Sequence, residues 1–244
     1  MFPLRLGICL LLSTVGLLAQ DLPAGTVVPV MLSSDLNAQK DKPGKKIEGK
    51  VMQDVPLLSG QISKGARVTG HVISVKKPES GSDIVIQFDN IEDGSRSIPW
   101  TAAVLAVASM RGVSEAQLPI NNTGTAQDSS EFWITRQVGG DLVNREQHRA
   151  GSPTGQVGTW LGGSAVLIKL TPNPDAGCPD GPAYKGAQAV WIFSSAACGT
   201  YGFDDVVIAS SGAEAPVGEI MLGSSQNVNV RGGSGWLLVT VSAH

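Results

Sequence analysis

The chain is poor in charged, histidine and aromatic residues. Of its 244 residues, 16% are charged and 42% are hydrophobic, whereas ordinary soluble domains are about 25% charged. A disordered, highly charged chain is therefore excluded. The 30 glycines have no three-residue period, which excludes collagen. No apolar run of about 18 residues or more follows the first twenty, so we expect no transmembrane helix in the mature chain.

The first nineteen residues have the organisation of a secretory signal peptide. Arg5 is followed by an apolar stretch, Leu6–Leu18, and then by the small residue Ala19. This stretch is too short to cross the roughly 30 Å hydrocarbon core of a bilayer. We therefore expect residues 1–19 to be removed and the mature protein to be periplasmic or secreted.

Short β-type runs separated by glycine, proline, asparagine and aspartate fill the rest of the chain, and this pattern is typical of an all-β fold. Ala66–Val75 alternates cleanly, and Glu92–Ser95 has the composition of a hairpin turn. We predict an all-β protein with an N-terminal β-barrel module at residues 22–110. Linker or long loops would follow at residues 111–160, and a C-terminal β-sandwich-like module, stapled by a disulfide, at residues 161–244.

Three segments of the first module carry a family resemblance. They are Leu22–Val30 (LPAGTVVPV), Gln61–Gly70 (QISKGARVTG) and Asp89–Trp100 (DNIEDGSRSIPW). Over residues 22–108 their order and spacing resemble the C-terminal β-barrel of TrbI-type conjugal-transfer proteins, components of type IV secretion outer-membrane complexes. The resemblance implies an envelope barrel used for protein–protein assembly. The family's membrane helix, proline-rich arm and helical pore insertion have no counterpart here, so a secretion channel is not implied.

The residues contain no recognisable catalytic or cofactor motif. His71, His148 and His244 lie beside no nucleophile pattern, and the phosphate-binding loops of nucleotide enzymes are absent. Asp175 and Asp180 share a loop that could offer oxygen ligands to calcium, but it lacks the ordered spacing of a calcium loop. We therefore expect a non-enzymatic protein without metal or cofactor.

Basic residues are concentrated in one part of the chain. Between positions 40 and 77 there are nine lysines and arginines against three acids, and residues 171–219 are acidic. The candidate basic docking patch consists of Lys42, Lys45, Lys46, Lys50, Lys64, Arg67, Lys76 and Lys77. The patch could dock an envelope protein or another anionic surface, or the acidic half of the chain itself. Alternatively, these are solvated residues whose lysines protect strand edges. The acidic total charge argues against nucleic acid as a partner.

Tryptophans suggest a second kind of binding. Trp191 and Trp236 lie in apolar strands and are predicted core residues. Trp133 and Trp160 flank the loop region and are the candidate aromatic contacts for sugars, although the interpretation as core anchors is favoured for both. We therefore expect an exported envelope scaffold or protein-binding module. The alternative is a carbohydrate-binding protein or a glycan-acting enzyme.

Cys178 and Cys198 are the two cysteines that remain after signal removal. An even count in an exported protein indicates a disulfide, because a zinc site needs more ligands and a redox pair favours closer spacing. The bond would close a loop of about 20 residues and stabilise the fold by roughly 3 kcal/mol.

We predict that the exported protein, alkylated without reduction, takes up no label at either cysteine in intact-mass measurements. The double substitution Cys178→Ser/Cys198→Ser should lower the free energy of unfolding by about 3 kcal/mol. Two labelled thiols in the exported protein would contradict this pairing.

Overall fold

The computed structural model describes residues 22–58, 60–78, 80–117, 134–136, 138, 142–146, 149–152, 155–160, 168–169, 189–194 and 197–242. Strands dominate these residues, and the all-β prediction is confirmed. In chain order they are β1 (Val27–Leu32), β2 (Leu36–Asn37), β3 (Lys46–Val51), β4 (Val55–Leu57), β5 (Gly60–Ile62), β6 (Arg67–Lys76), β7 (Ser82–Asp93), β8 (Arg96–Pro99), β9 (Ala102–Ala108), then helix α1 (Met110–Gln117), β10 (Ile134–Arg136), β11 (Leu142–Glu146), β12 (Arg149–Ser152), β13 (Gly155–Trp160), β14 (Ile168–Lys169), β15 (Ala189–Val190), β16 (Phe193–Ser194), β17 (Gly199–Tyr201), β18 (Val207–Ser210), β19 (Ile220–Ser224), β20 (Asn229–Val230) and β21 (Gly235–Thr240).

Ten of these strands form one large sheet. Its order is β17-β9-β21-β1-β3-β6-β7-β19-β18, and β8 pairs with the far end of β7. The neighbours run antiparallel except for β17 and β9, which are parallel. Strands β10 to β14 make a separate five-stranded sheet, and three two-stranded ribbons pair β2 with β20, β4 with β5, and β15 with β16.

The two margins of the large sheet approach each other, so the sheet is nearly closed into a barrel. The backbone N–H of Val104 on β9 donates to the carbonyl of Ser211, just after β18, at 2.8 Å. On the same side, the hydroxyl of Thr200 on β17 donates to the carbonyl of Val206 at 2.7 Å. Closure of this kind removes the exposed edges through which open sheets aggregate. The predicted barrel shape is therefore confirmed.

The last strand of the described chain has a central place in the barrel. β21 lies between β1 and β9 and pairs with both, and β19 pairs with β7. Strands from residues 27–108 and from residues 199–240 therefore belong to the same sheet. They do not form two separate sheets. The module boundaries predicted from the sequence do not separate these two groups of strands, because β21 buries its apolar side chains between two strands of the first segment.

Side chains fill the barrel interior. On β6, Val68, Gly70 and Val72 are buried, and the residues between them face outward and are at least partly exposed. The ring of Phe88 lies 6.0 Å from the rings of both Trp100 and Trp236. Such tilted and edge contacts suit aromatic rings. The interior is therefore a packed core.

One part of the barrel is also covered from outside. Helix α1 and residues 190–194 pack against β21 where it begins. A Cβ placed on Gly235 would lie 2.9 Å from the Trp191 ring, 3.0 Å from Val113 and 3.1 Å from Ile192. The core positions predicted for Trp191 and Trp236 are confirmed, because both side chains are almost fully buried.

Among the described residues, no helix has the length and apolar character needed to cross a membrane.

We predict that Gly70→Ala destabilises the fold by about 1–3 kcal/mol, because the added methyl would overlap the carbonyl oxygen of Gln87 on β7. Gly112→Ala in α1 is the matched control: its methyl meets neighbours only at 3.6 Å and beyond. Alanine is favoured in helices, so this control should be neutral or stabilising by up to about 1 kcal/mol. Urea unfolding measures both variants, and equal effects would contradict the packing described for Gly70.

Candidate interaction surface

The turn at residues 40–45 is held against the second half of β6. Asp41 N–H donates to the carbonyl of Asn37 at 2.8 Å. Gly44 N–H donates to the carbonyl of Val72, and Val72 N–H donates to the carbonyl of Lys45, at 2.8 and 2.9 Å. Backbone hydrogen bonds therefore fix the position of this lysine-rich turn.

This attachment brings together six lysines, which we call the lysine end of the barrel. Its members are Lys40, Lys42, Lys45, Lys46, Lys76 and Lys77. Lys46 begins β3, Lys76 ends β6, and the ammonium of Lys77 donates to the carbonyl of Gln39 at 3.0 Å. Five of the six are exposed, and Lys45 is half-buried. The lysine end is thus a concentrated positive surface.

Carboxylates balance the lysine end only in part. Asp35 and Asp41 lie on the same segment, and Asp83 is the cross-strand partner of Lys76. Within the described ranges, the one salt bridge here joins Lys45 Nζ to Asp41 Oδ1 at 2.8 Å. The other five ammonium groups form no salt bridge with the described residues, so the surface keeps an excess of positive charge.

The remaining basic candidates lie toward the other end of β3. Lys50 is the cross-strand partner of Arg67, and Lys64 precedes β6. Arg67 donates to Glu48 at 2.5 Å and to Glu92 at 3.0 Å. The hydrogen bonds to Glu48 and then to Glu92 raise the pKa of the Arg67 guanidinium. Arg67 is therefore neutralised by its neighbours, and the structure divides the predicted patch into two groups.

No signal in the sequence points to the two glutamates that flank Arg67. They lie 19 and 25 residues away along the chain, and only the alignment of β3, β6 and β7 brings the three side chains together. Alternation along a strand separates its two faces, but it carries no information about which residues of neighbouring strands lie beside Arg67.

His71 and Asp89 form a pair on the outer face of the sheet. The imidazole Nδ1 lies 2.8 Å from Asp89 Oδ2, and the two side chains are 40% and 42% exposed. With the described residues, the imidazole makes no other hydrogen bond. Histidine-based catalysis needs a nucleophile within hydrogen-bond reach, and this pair holds none among its hydrogen-bond partners. Three or more potential metal ligands do not cluster in the part of the chain that the structure describes.

The turn between β7 and β8 is organised by a buried carboxylate. Gly94 has the positive φ of 63° that this tight turn requires, which agrees with the predicted hairpin. Asp93 accepts from the backbone N–H of Ser63 at 3.3 Å and forms an ion pair with Arg96. Burial by itself raises the pKa of Asp93, but the Arg96 and Ser63 hydrogen bonds outweigh it and lower the pKa below the ordinary value.

Several candidate residues lie outside the described residues. These are Trp133, Asp175, Cys178 and Asp180. The backbone of Trp160 ends β13 opposite Ile168, but the structure does not describe its side chain. Cys198 precedes β17, and its backbone N–H donates to the Tyr201 hydroxyl at 3.0 Å. The disulfide and the aromatic contacts therefore remain predictions.

No family model, no curated protein and no solved structure matches the chain.

We predict that Asp93→Asn lowers the free energy of unfolding by about 1–2 kcal/mol at neutral pH, since a charged hydrogen-bond acceptor is lost. The pKa of Asp93 is lower in the folded state, so its contribution is full above the ordinary aspartate value of about 3.9. The contribution disappears as the pH falls through the lowered folded-state pKa.

Urea unfolding at pH 6 and at stepwise lower pH should show the difference between wild type and Asp93→Asn shrinking on acidification. Glu214→Gln, on an exposed loop, is the control and should differ little from wild type throughout. A difference for Asp93→Asn that stays constant down to the lowest pH would contradict the electrostatic role of this carboxylate.

Proposed function

We propose that this protein is an exported, non-enzymatic binding module of the cell envelope that docks an acidic partner protein through its lysine end. The observation that carries the proposal is the excess positive charge of six lysines on a turn and strand ends fixed by backbone hydrogen bonds. Because hydrogen bonds fix the backbone of the turn, docking requires little ordering of the loop, and the opposite charge of an acidic partner favours association.

The packed interior supports a role for the outer surface. Phe88, Trp100 and Trp236 occupy the centre of the barrel, whereas barrels that carry ligands internally keep a cavity. A scaffold of this kind presents its loops and strand ends to a partner, and the lysine end consists of such elements.

The signal-like first nineteen residues and the resemblance to TrbI-type barrels support an envelope compartment and a protein partner. A secretory signal would bring the mature chain into the envelope. The segments that resemble the family imply a barrel that assembles with other proteins. An acidic protein surface in the envelope is therefore the partner that we propose.

The same lysines could instead serve only to prevent strand pairing at the end of β6. β6 extends past the first residue of β3, since Lys46 is paired with His71 and β6 continues to Lys76. A positive or a negative charge would protect a strand edge equally well, whereas docking an acidic partner requires positive charge. Charge reversal therefore separates the two roles.

We predict that zero-length carbodiimide crosslinking in intact envelopes joins the lysine end to aspartate or glutamate of a second protein. The triple variant Lys42→Glu/Lys46→Glu/Lys76→Glu should lose these crosslinks. The matched control Lys50→Glu/Lys64→Glu reverses two charges elsewhere on the barrel and should keep them. Mass spectrometry of the joined peptides identifies both attachment points.

Salt gives an independent readout of the same contact. Raising ionic strength from about 0.01 M to about 1 M shortens the screening length from roughly 30 Å to 3 Å, so crosslinking by the wild type should fall steeply. Crosslinks that persist in the triple variant, that start only from Lys50 or Lys64, or that stay within the chain would overturn the proposal.

A further inference from the structure

A groove with both polar and apolar walls lies where three segments of the barrel end meet. They are the start of α1, residues 202–206 between β17 and β18, and the stretch 227–234 that includes β20. The groove has a volume of about 360 Å³, within the range of roughly 300–1,000 Å³ typical of small-molecule sites. The lining side chains that matter here are Arg111, Phe203, Asp204, Asn227, Asn229 and Arg231. We call this site the arginine groove.

Hydrogen bonds hold the walls of the groove in place. Ser109 N–H donates to the carbonyl of Tyr201 at 2.9 Å, and Ser109 Oγ accepts from Gly112 N–H at 3.1 Å, which caps α1. Asp205 Oδ2 accepts from the hydroxyls of Ser224 and Ser225 at 2.6 and 3.0 Å. The first of these bonds is the main reason that the pKa of Asp205 lies below its ordinary value. The Asp205 carboxylate is therefore already occupied by hydrogen bonds within the protein.

Other polar groups of the groove have no hydrogen-bond partner among the described residues. The side chains of Asp204, Asn229 and Arg231 are exposed, and they form no hydrogen bond or salt bridge with the described residues. Asn227 Nδ2 donates to Asn37 Oδ1 at 3.4 Å, but Asn227 Oδ1 is buried without a donor. A buried acceptor without a partner is costly, but this oxygen is closed off from the groove, so the exposed side chains of Asp204, Asn229 and Arg231 are the groups that a ligand can reach.

The charges of the groove nearly balance, since Arg111 and Arg231 face the same space as Asp204 and Asp205. Arg111 also forms a salt bridge with Glu115, in which Nε lies 2.7 Å from Oε1. A phosphate or another strongly anionic ligand would meet two carboxylates there, and a cation would meet two guanidinium groups. A neutral ligand rich in hydroxyls meets donors and acceptors together without a charge penalty.

We propose that the arginine groove binds a neutral sugar ring. Carboxylate, amide and guanidinium groups are planar and can each contact two neighbouring hydroxyls. Phe203 is half-buried in the lining and offers an apolar surface for the C–H face of the ring. The proposal is independent of the lysine end, because none of the six lysines lines this groove.

The proposal is tested by isothermal titration of the full mature chain with maltose, cellobiose, lactose and diacetylchitobiose. Saturable binding of at least one of them is expected. Arg231→Ala and Asp204→Asn should each weaken that binding by about tenfold or more, as expected for the loss of a charged hydrogen bond. Both side chains are exposed and form no hydrogen bond or salt bridge with the described residues, so the variants should fold, and circular dichroism and thermal melting verify this.

Matched controls remove similar groups outside the groove. Lys64→Ala and Glu214→Gln should bind the sugar as tightly as the wild type does. Absence of binding by the wild type, or equal affinity of the wild type and both groove variants, would overturn the proposal. Binding confined to anionic sugars and abolished by Lys42→Glu/Lys46→Glu/Lys76→Glu would also overturn it, since the lysine end would then be the sugar site.

Discussion

The insertion of β21 between β1 and β9 is the constraint on which the rest of the structure depends. This strand comes from the end of the chain, yet it makes backbone hydrogen bonds to two strands of the first hundred or so residues. Its Trp236 reaches the ring of Phe88 in the interior, while Gly235 leaves room for Trp191 on the outside. Without β21 the sheet would have two open edges and an unfilled centre.

Closure also determines where the protein can interact. Because the interior is packed, ligands and partners must meet the outer face, the turns or the strand ends. On the outer face, Arg67 is satisfied by two glutamates and His71 by Asp89. At one end of the barrel, the lysine end and the arginine groove contain charged and polar groups that have no partner among the described residues.

The ribbon formed by β2 and β20 links these two surfaces. β2 leads directly into the turn of the lysine end, and β20 contributes Asn229 to the arginine groove. Ala38 N–H donates to the carbonyl of Val228 at 2.9 Å, and Val228 N–H donates to Ser82 Oγ at 2.8 Å, so the ribbon is fastened to the start of β7. The two proposed sites therefore lie next to the same ribbon.

The sequence by itself determined the local features of this protein. Alternation over Ala66–Val75 predicts the strand found at Arg67–Lys76, and Glu92–Ser95 predicts the turn at Gly94, because facing and turn geometry depend on nearby residues. Only the tertiary structure decided that β21 joins the first segment, that Glu48 and Glu92 neutralise Arg67, and that Asp204 and Arg231 share a groove. These contacts join residues far apart in the chain, and their pairing depends on how the whole sheet closes and buries its apolar faces.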